Sequence, residues 1–375
     1  MHIAINGWFW DSPTTGSGQY TRLLVEALAA VRPELKVSLV TASRQGVALP
    51  ASCAQYPVSC SRTDVGKVWF EQIGFPRACT TLGADLVHVP YWASPLRSSS
   101  PVVVTIHDII PKILRPYRGG LLKRLYTALV SASARGATAV LTDSLASRGD
   151  ILTHLGLHPE RVRTVPLAAN ERFSPEPDPE DDGIRTRYGL PDRYILYLGG
   201  FDVRKNLATV LATYHWVGPA VAESCPLVIA GRLPERHTLL APDPHRLMEE
   251  QGVGKAYVHF TGFVEESHTP ALYRGAAAFI FPSRYEGFGL PPLEALACGT
   301  PVVGSDTSSL PEVVGDAGVL LAPDDAEGMA GALIQLVIDE DFHAEMRRRA
   351  LVQSARFSWA RTSQATVEAY EDAVD

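Results

Sequence analysis

The chain has 375 residues, 46% of them hydrophobic and 20% charged, with a net charge of −7. This composition excludes a disordered chain and a general nucleic-acid binder, and the length predicts two domains. No apolar run reaches about 18 residues, so no membrane span is expected. The five cysteines, Cys53, Cys60, Cys79, Cys225 and Cys298, are scattered and form no CxxC pair. A zinc site or disulfide framework is therefore not expected. The chain opens in a strand with no signal-peptide pattern, and a reducing cytoplasm is the expected location.

Short apolar runs alternate with helical patterns, which predicts parallel sheets built from βα units. The strand candidates of the first half are Ile3–Asn6, Val37–Thr41, Leu86–Val89, Val102–Ile106 and Ala139–Thr142, with a weaker Val162–Val165. Between the first two strands, Gly16-Ser17-Gly18-Gln19-Tyr20 opens a helix. A dinucleotide fingerprint needs glycine at position 21, where the chain has Thr21, so hydride chemistry is disfavoured. His88 ends one strand and reads as structural. His107 follows the next strand at its carboxyl end, where ligands of such folds bind, and Asp108 is the expected orienter of its ring. Lys112 to Arg135 combines six cations with leucines at helical spacing. Such a helix lies on an anionic membrane or packs on the sheet with a charged outer face. The second reading is preferred, and the first leaves room for weak peripheral contact at the inner membrane face.

Pro175–Asp182, PEPDPEDD, has no apolar side chain and reads as a solvated linker. It divides the chain into a domain over 1–174, to which the terminal helix 357–375 returns, and a domain over 183–356. The second strand series is Tyr194–Leu198, Leu227–Ala230, Val258–Thr261, Ala278–Phe281, Pro301–Gly304 and Val319–Leu321. Gly199 and Gly200 follow the first of these, and Arg204-Lys205 opens the next helix. Glycines at a strand end followed by two cations suit a diphosphate. Asp339-Glu340-Asp341 is the only D-x-D triplet, lies far from any strand end, and reads as a solvated helix terminus.

The densest motif is Phe281–Val303, FPSRYEGFGLPPLEALACGTPVV. Glu286 lies on a loop, Gly287 and Gly289 permit close backbone approach to a ligand, and Pro291 and Pro292 fit only a first helical turn. Glu294 then lies early in the helix, which Gly299 ends. A helix start beside a strand's carboxyl edge is an anion site, and a carboxylate on either side of it points to hydroxyl recognition.

Glu286 and Glu294 as an E-x7-E pair, the intervening GFGLPPLEA and the following ACGTPVV resemble the signature of the family 4 retaining glycosyltransferases. The resemblance implies the GT-B fold, an α/β architecture of two doubly wound Rossmann-like domains facing a central cleft. It implies that Arg204 and Lys205 take the leaving diphosphate with the N–H groups of Gly289 and Leu290, and that Glu294 binds the ribose. Glu286 and His107 then contact the transferred sugar. The resemblance implies that Gly16 and Gly18 belong to a loop that closes over the donor phosphates or lines the acceptor side, that Gly200 and Phe288 bind the donor, and that Gly231, Arg232 and Val264 lie beside the nucleobase. Ser305–Pro311 resembles the polar loop beside the phosphates. The expected partners are a nucleotide-sugar donor and a sugar or lipid-linked saccharide acceptor, with no metal or other cofactor. The motif strings are most similar to a mannosyltransferase-like branch, with GDP-mannose as the expected donor and a UDP-hexose as the alternative. An epimerase, a phosphorylase and a non-catalytic sugar-nucleotide binder remain open on the same architecture.

Overall fold

The computed structural model describes residues 1–12, 14–42 and 48–375. The chain forms two units. Met1–Leu167 with Ser358–Asp375 is the first, and Ala168–Phe357 is the second.

The first unit is built on seven strands: β1 (His2–Asn6), β2 (Lys36–Thr41), β3 (Cys53–Pro57), β4 (Leu86–Val89), β5 (Val102–Thr105), β6 (Ala139–Thr142) and β7 (Val162–Thr164). They form one parallel sheet in the order β3-β2-β1-β4-β5-β6-β7. The second unit has six: β8 (Ile195–Leu198), β9 (Leu227–Ala230), β10 (Val258–Gly262), β11 (Ala278–Phe281), β12 (Val302–Ser305) and β13 (Gly318–Leu321). Their order, also parallel, is β10-β9-β8-β11-β12-β13. Central strands such as β5 (VVVT) and β11 (AFIF) are apolar along their length because helices cover both sheet faces. In each sheet the winding reverses once, between β1 and β4 and between β8 and β11. Ligands of doubly wound sheets bind outside the carboxyl ends of the strands at such reversals.

Strand β3 is not among the sequence candidates. It is an edge strand, half-buried at most, and its CAQYP shows no apolar run to read. The acidic stretch 175–182 is not merely a linker. The units divide at Leu167/Ala168 and Phe357/Ser358. Asp181 opens the helix Asp181–Tyr188 and accepts from Arg274 Nε at 2.8 Å. Arg274 is well covered and needs a counter-charge there. The basic stretch 112–135 is not one packed helix. It divides into Ile110–Ile113, a 3₁₀ turn Arg115–Arg118 and a helix Leu121–Gly136, and the leucines that start the last of these face solvent. Asp339 caps the helix Glu340–Ser354 by accepting from Phe342 N at 2.9 Å.

The terminal helix Trp359–Val374 belongs to the first unit. Tyr370 Oη lies 2.6 Å from His88 Nδ1, and His88 Nε2 lies 2.9 Å from Thr105 Oγ1. Burial pushes the His88 imidazole down to about 3, so it stays neutral and structural. Tyr370 is fully buried. Tyr370→Ala should cost about 3–5 kcal/mol and lower the melting temperature by about 10 °C for a unit of this size. Thermal unfolding followed by circular dichroism checks this; an unchanged transition would mean the helix does not hold the first unit together.

Candidate active site

The reversal between β8 and β11 brings together the residues that follow those strands. After β8, Gly199 and Gly200 lead into the turn Val203–Lys205, whose Asp202 cap accepts from Arg204 N at 2.9 Å. After β11, residues 282–289 run into the helix Leu290–Ala297. Glu286 lies between the two cations. Lys205 Nζ is 2.7 Å from its Oε1 and Arg204 Nη1 is 2.8 Å from its Oε2. Burial would raise the Glu286 carboxyl, but Lys205 and Arg204 outweigh it and hold it below the usual carboxylate range. Arg204 also donates to Tyr285 O at 2.6 Å, and Lys205 Nζ stands 4.9 Å from the Phe281 ring centroid.

Serines hold this carboxylate and its loop. Ser283 Oγ donates to Glu286 Oε1 at 2.5 Å. Glu286 N donates to Ser308 Oγ at 2.9 Å, and Ser309 Oγ donates to Glu286 O at 3.0 Å. The 305–311 loop therefore clamps the Glu286 loop. In the sequence that loop shows only its polarity, not these bonds. Ser283 has no distinctive signal in the sequence, being a serine beside a strand end.

Gly289 has φ 116°, and a Cβ there would stand 2.9 Å from Leu310 Cδ2. The next helical residues, Pro291 and Pro292, have no N–H, and Leu293 N is bonded to Gly289 O at 3.2 Å. Gly289 and Leu290 therefore supply the backbone donors at this helix start. Glu294 has a different setting from Glu286. It is half-buried, its Oε2 accepts from Tyr273 Oη at 3.2 Å, and burial pushes its carboxyl up to about 8 against the opposing effects of Tyr273 and Arg172. Two cations favour the ionised form of Glu286, and burial favours the protonated form of Glu294.

The other expected donor residues divide between exposed loops and the core. Gly231 N donates to Gly262 O at 3.0 Å, and a Cβ on Gly231 would lie 2.4 Å from Gly199 O, so three strand-end loops meet here. The Arg232 guanidinium lies 4.8 Å from the centroid of the exposed Phe263 ring, which makes a flat cationic surface. The side chains of Val264 and Phe288 are buried instead. Val264 joins the core with Leu272 and Tyr273, and Phe288 meets Phe357 edge-on at 5.9 Å. Only their backbones remain for a ligand. Gly200 is exposed, and a Cβ there would meet nothing within 4 Å. Gly200→Ala should leave the melting temperature unchanged and raise the donor KM if a phosphate approaches this backbone. An unchanged KM would remove Gly200 from the site.

His107, Gly16 and Gly18 lie in the first unit. His107 Nδ1 is 2.7 Å from Asp143 Oδ2, and its Nε2 is 3.3 Å from Pro90 O. Both partners are acceptors, a setting that favours the doubly protonated ring. Burial opposes that charge, and Asp143 overcomes it, raising the His107 pKa. Asp143, not Asp108, orients the ring. Asp108 Oδ1 accepts from Ile110 N at 2.9 Å instead. Asp143 is distant in sequence and reaches His107 because β5 and β6 are neighbours. Gly16 and Gly18 are in the first turn of the helix Gly16–Val31, not in a free loop. A Cβ on Gly18 would lie 2.1 Å from Ser12 O, so glycine is needed there for chain packing, whereas Gly16 is open.

Residues 14–172 match the model of "Glycosyltransferase Family 4", and residues 192–339 match that of "Glycosyl transferases group 1". The chain is 31% identical to O-antigen chain mannosyltransferase B of Escherichia coli over 76% of this chain and 74% of that protein. The chain belongs to the family 4 glycosyltransferases. It is also 31% identical to the serotype-specific mannosyltransferase WbdA of Escherichia coli, over 72% of this chain and 33% of that protein. The chain thus spans about a third of WbdA. Among solved structures, sucrose-phosphate synthase from Thermosynechococcus elongatus superposes with a TM-score of 0.77 over 99% of this chain and 98% of its own, at 22% identity. The fold is GT-B, each unit being a doubly wound, Rossmann-like domain. The cation pair facing Glu286 and the helix start at Gly289 and Leu290 lie in the group 1 region, and His107 lies in the family 4 region.

Proposed function

We propose that this glycosyltransferase moves mannose, with retention, from GDP-mannose to a hydroxyl of a saccharide or lipid-linked saccharide. The observation that carries the reading is the placement of Arg204 and Lys205 against Glu286 at the sheet reversal, beside the helix start at Gly289 and Leu290. The two mannosyltransferase relatives support the choice of sugar.

In this reading the bond between the sugar C1 and the diphosphate oxygen breaks. The acceptor oxygen forms its new bond to C1 on the same face. The acceptor proton passes to the departing phosphate oxygen, so no enzyme nucleophile is required. Arg204, Lys205 and the N–H groups of Gly289 and Leu290 neutralise charge as it develops on the leaving group. Glu286 shares the cations with the diphosphate and faces the sugar hydroxyls. Glu294 accepts from the ribose hydroxyls. Charge neutralisation by these groups needs no metal, and a chelator should leave the rate unchanged; strong inhibition would overturn that part of the proposal.

The deciding experiment is a thermal-shift panel with GDP, UDP, ADP and dTDP. A nucleotide at 100 times its Kd adds about 2.7 kcal/mol, or about 5–10 °C for units of this size. A selective GDP shift is expected. A selective UDP shift would keep the transferase and replace the donor. No shift with any nucleotide, on folded protein, would overturn the nucleotide-sugar reading.

A further inference from the structure

We infer that Asn206 is a positioning residue for the two cations beside Glu286, a role that rests on the leaving-group reading of Arg204 and Lys205. Apart from glycines, only Asn206 and Ser308 among the described residues have a left-handed backbone, at φ 59° and 52°. Such conformations are unfavourable for a residue with a Cβ, and they gather at sites where the surrounding structure imposes an unusual path on the chain. Here both lie on the loops that hold Glu286. Ser308 Oγ accepts from Glu286 N, and Asn206 directly follows Lys205.

Asn206 closes the 3₁₀ turn Val203–Lys205, its N–H donating to Val203 O at 3.2 Å. It also stands at the N-cap of the helix Leu207–Ala222. An asparagine there ordinarily turns its side chain onto the first N–H groups of the helix. Ser144, Asp325 and Asp339 cap their helices in that way. The Asn206 side chain makes no such bond. Its Nδ2 donates to Pro282 O at 3.1 Å and to Pro323 O at 2.6 Å, and its Oδ1 accepts from Arg284 Nη2 at 3.2 Å. Pro282 directly follows β11, and Pro323 lies just past β13. One amide thus ties the loop after β8 to the ends of two other strands. Arg284 adds a backbone bond, its N–H donating to Arg204 O at 2.8 Å. Asn206 is 3% exposed and its amide is engaged on both sides within the fold, so it has nothing left to offer a substrate.

What it holds is the spacing between two strand-end loops. The turn carries Arg204 and Lys205, and the segment after Pro282 carries Glu286. Lys205 Nζ and Arg204 Nη1 meet opposite oxygens of that carboxylate, an arrangement that lasts only while the two loops keep their separation. The cations act on charge that develops as the leaving group departs, and a shift of about 1 Å in such groups costs about 10²-fold in rate. A loosened turn therefore slows the chemical step more than it weakens donor binding.

The test is steady-state kinetics of Asn206→Gly, with thermal unfolding of each variant. Glycine accepts the left-handed backbone without strain, so it would replace Asn206 without loss if the backbone alone required asparagine. Loss of the side-chain bonds should instead lower kcat by about 10–100-fold, with donor KM changed by less than about 3-fold. The effect should depend on the cations. On a Lys205→Ala background, Asn206→Gly should lower kcat at least about 5-fold less than it does on the wild type, because part of what it positions is gone. An equal fall on both backgrounds would assign the loss to the fold in general and overturn the proposal. A normal kcat in Lys205→Ala would overturn the leaving-group reading and this inference with it. A slow Lys205→Ala beside a normal Asn206→Gly would overturn this inference alone. If Asn206→Gly does not fold, Arg284→Met decides, since it removes the bond to Asn206 Oδ1 from a side chain that is 45% exposed. That variant should keep the melting temperature and lower kcat by about 3-fold or more; a wild-type kcat would overturn the proposal.

Discussion

Lys205→Ala is expected to lower kcat by about 10²–10³-fold, with a much smaller change in donor KM. The side chain lies 2.7 Å from Glu286 and over the Phe281 ring, so its ammonium is fixed in place before any ligand arrives. It is also only 16% exposed, where a charge interaction is weakened less by water. A diphosphate gains negative charge on its bridging oxygen as the sugar departs, so a fixed cation acts more strongly in the transition state than on the bound donor. Lys205→Arg should not restore the rate, because a planar fork does not occupy the position of a compact ammonium. Loss of Lys205 also leaves the nearly buried Glu286 with Arg204 alone, which predicts some loss of stability. Steady-state kinetics alongside thermal unfolding separate the two effects. A near-normal kcat in a folded Lys205→Ala protein would take the residue out of the chemistry.

Glu294→Gln is expected to abolish a pH dependence of donor binding that the wild type shows. Burial raises the Glu294 carboxyl to about 8 in the free protein. An ionised carboxylate accepts from two ribose hydroxyls, so bound donor favours the charged form and lowers this pKa. Binding then releases a proton below pH 8, and affinity rises with pH. The wild-type donor KM should fall by up to about 10-fold per pH unit between pH 6 and 8, then level off. Glutamine cannot titrate, so its KM should be flat over that range and higher than the wild type's at pH 8. A wild-type KM that does not vary with pH would mean that Glu294 is not a ribose ligand. The same shift affects folding with the opposite sign. The folded protein holds this proton up to about 8, while the unfolded chain loses it near 4.5. The contribution of Glu294 to stability is therefore full below pH 4.5 and declines as pH rises through 8.

Much of the architecture was legible in the residues. Apolar runs of four, such as AFIF and VVVT, identify strands buried on both faces, and the helical stretches between them require parallel pairing. Edge strand β3 and the units' division at Leu167/Ala168 were not legible, because an edge needs no apolar face and a boundary reflects contacts made elsewhere in the chain. The candidate site divides similarly. Arg204, Lys205, Glu286 and Glu294 were identifiable from glycines and prolines that only particular backbone positions accept. Asp143 and Tyr273 were not, because each meets a partner distant in the chain, and Ser283 was not, because a serine three residues from Glu286 carries no distinctive signal.

By itself the sequence determined the class: two doubly wound domains and a pair of glutamates around a Pro-Pro helix start, since periodicity and backbone restriction act locally. Only the tertiary structure decided how those groups are charged and which surfaces stay uncovered. It paired Glu286 with two cations and left Glu294 to burial. It gave His107 to Asp143, turned the side chains of Val264 and Phe288 into the core, and left Leu121, Leu122 and Leu125 in water. The reason is physical: ionisation and exposure depend on neighbours in space, and those neighbours lie tens of residues apart along the chain.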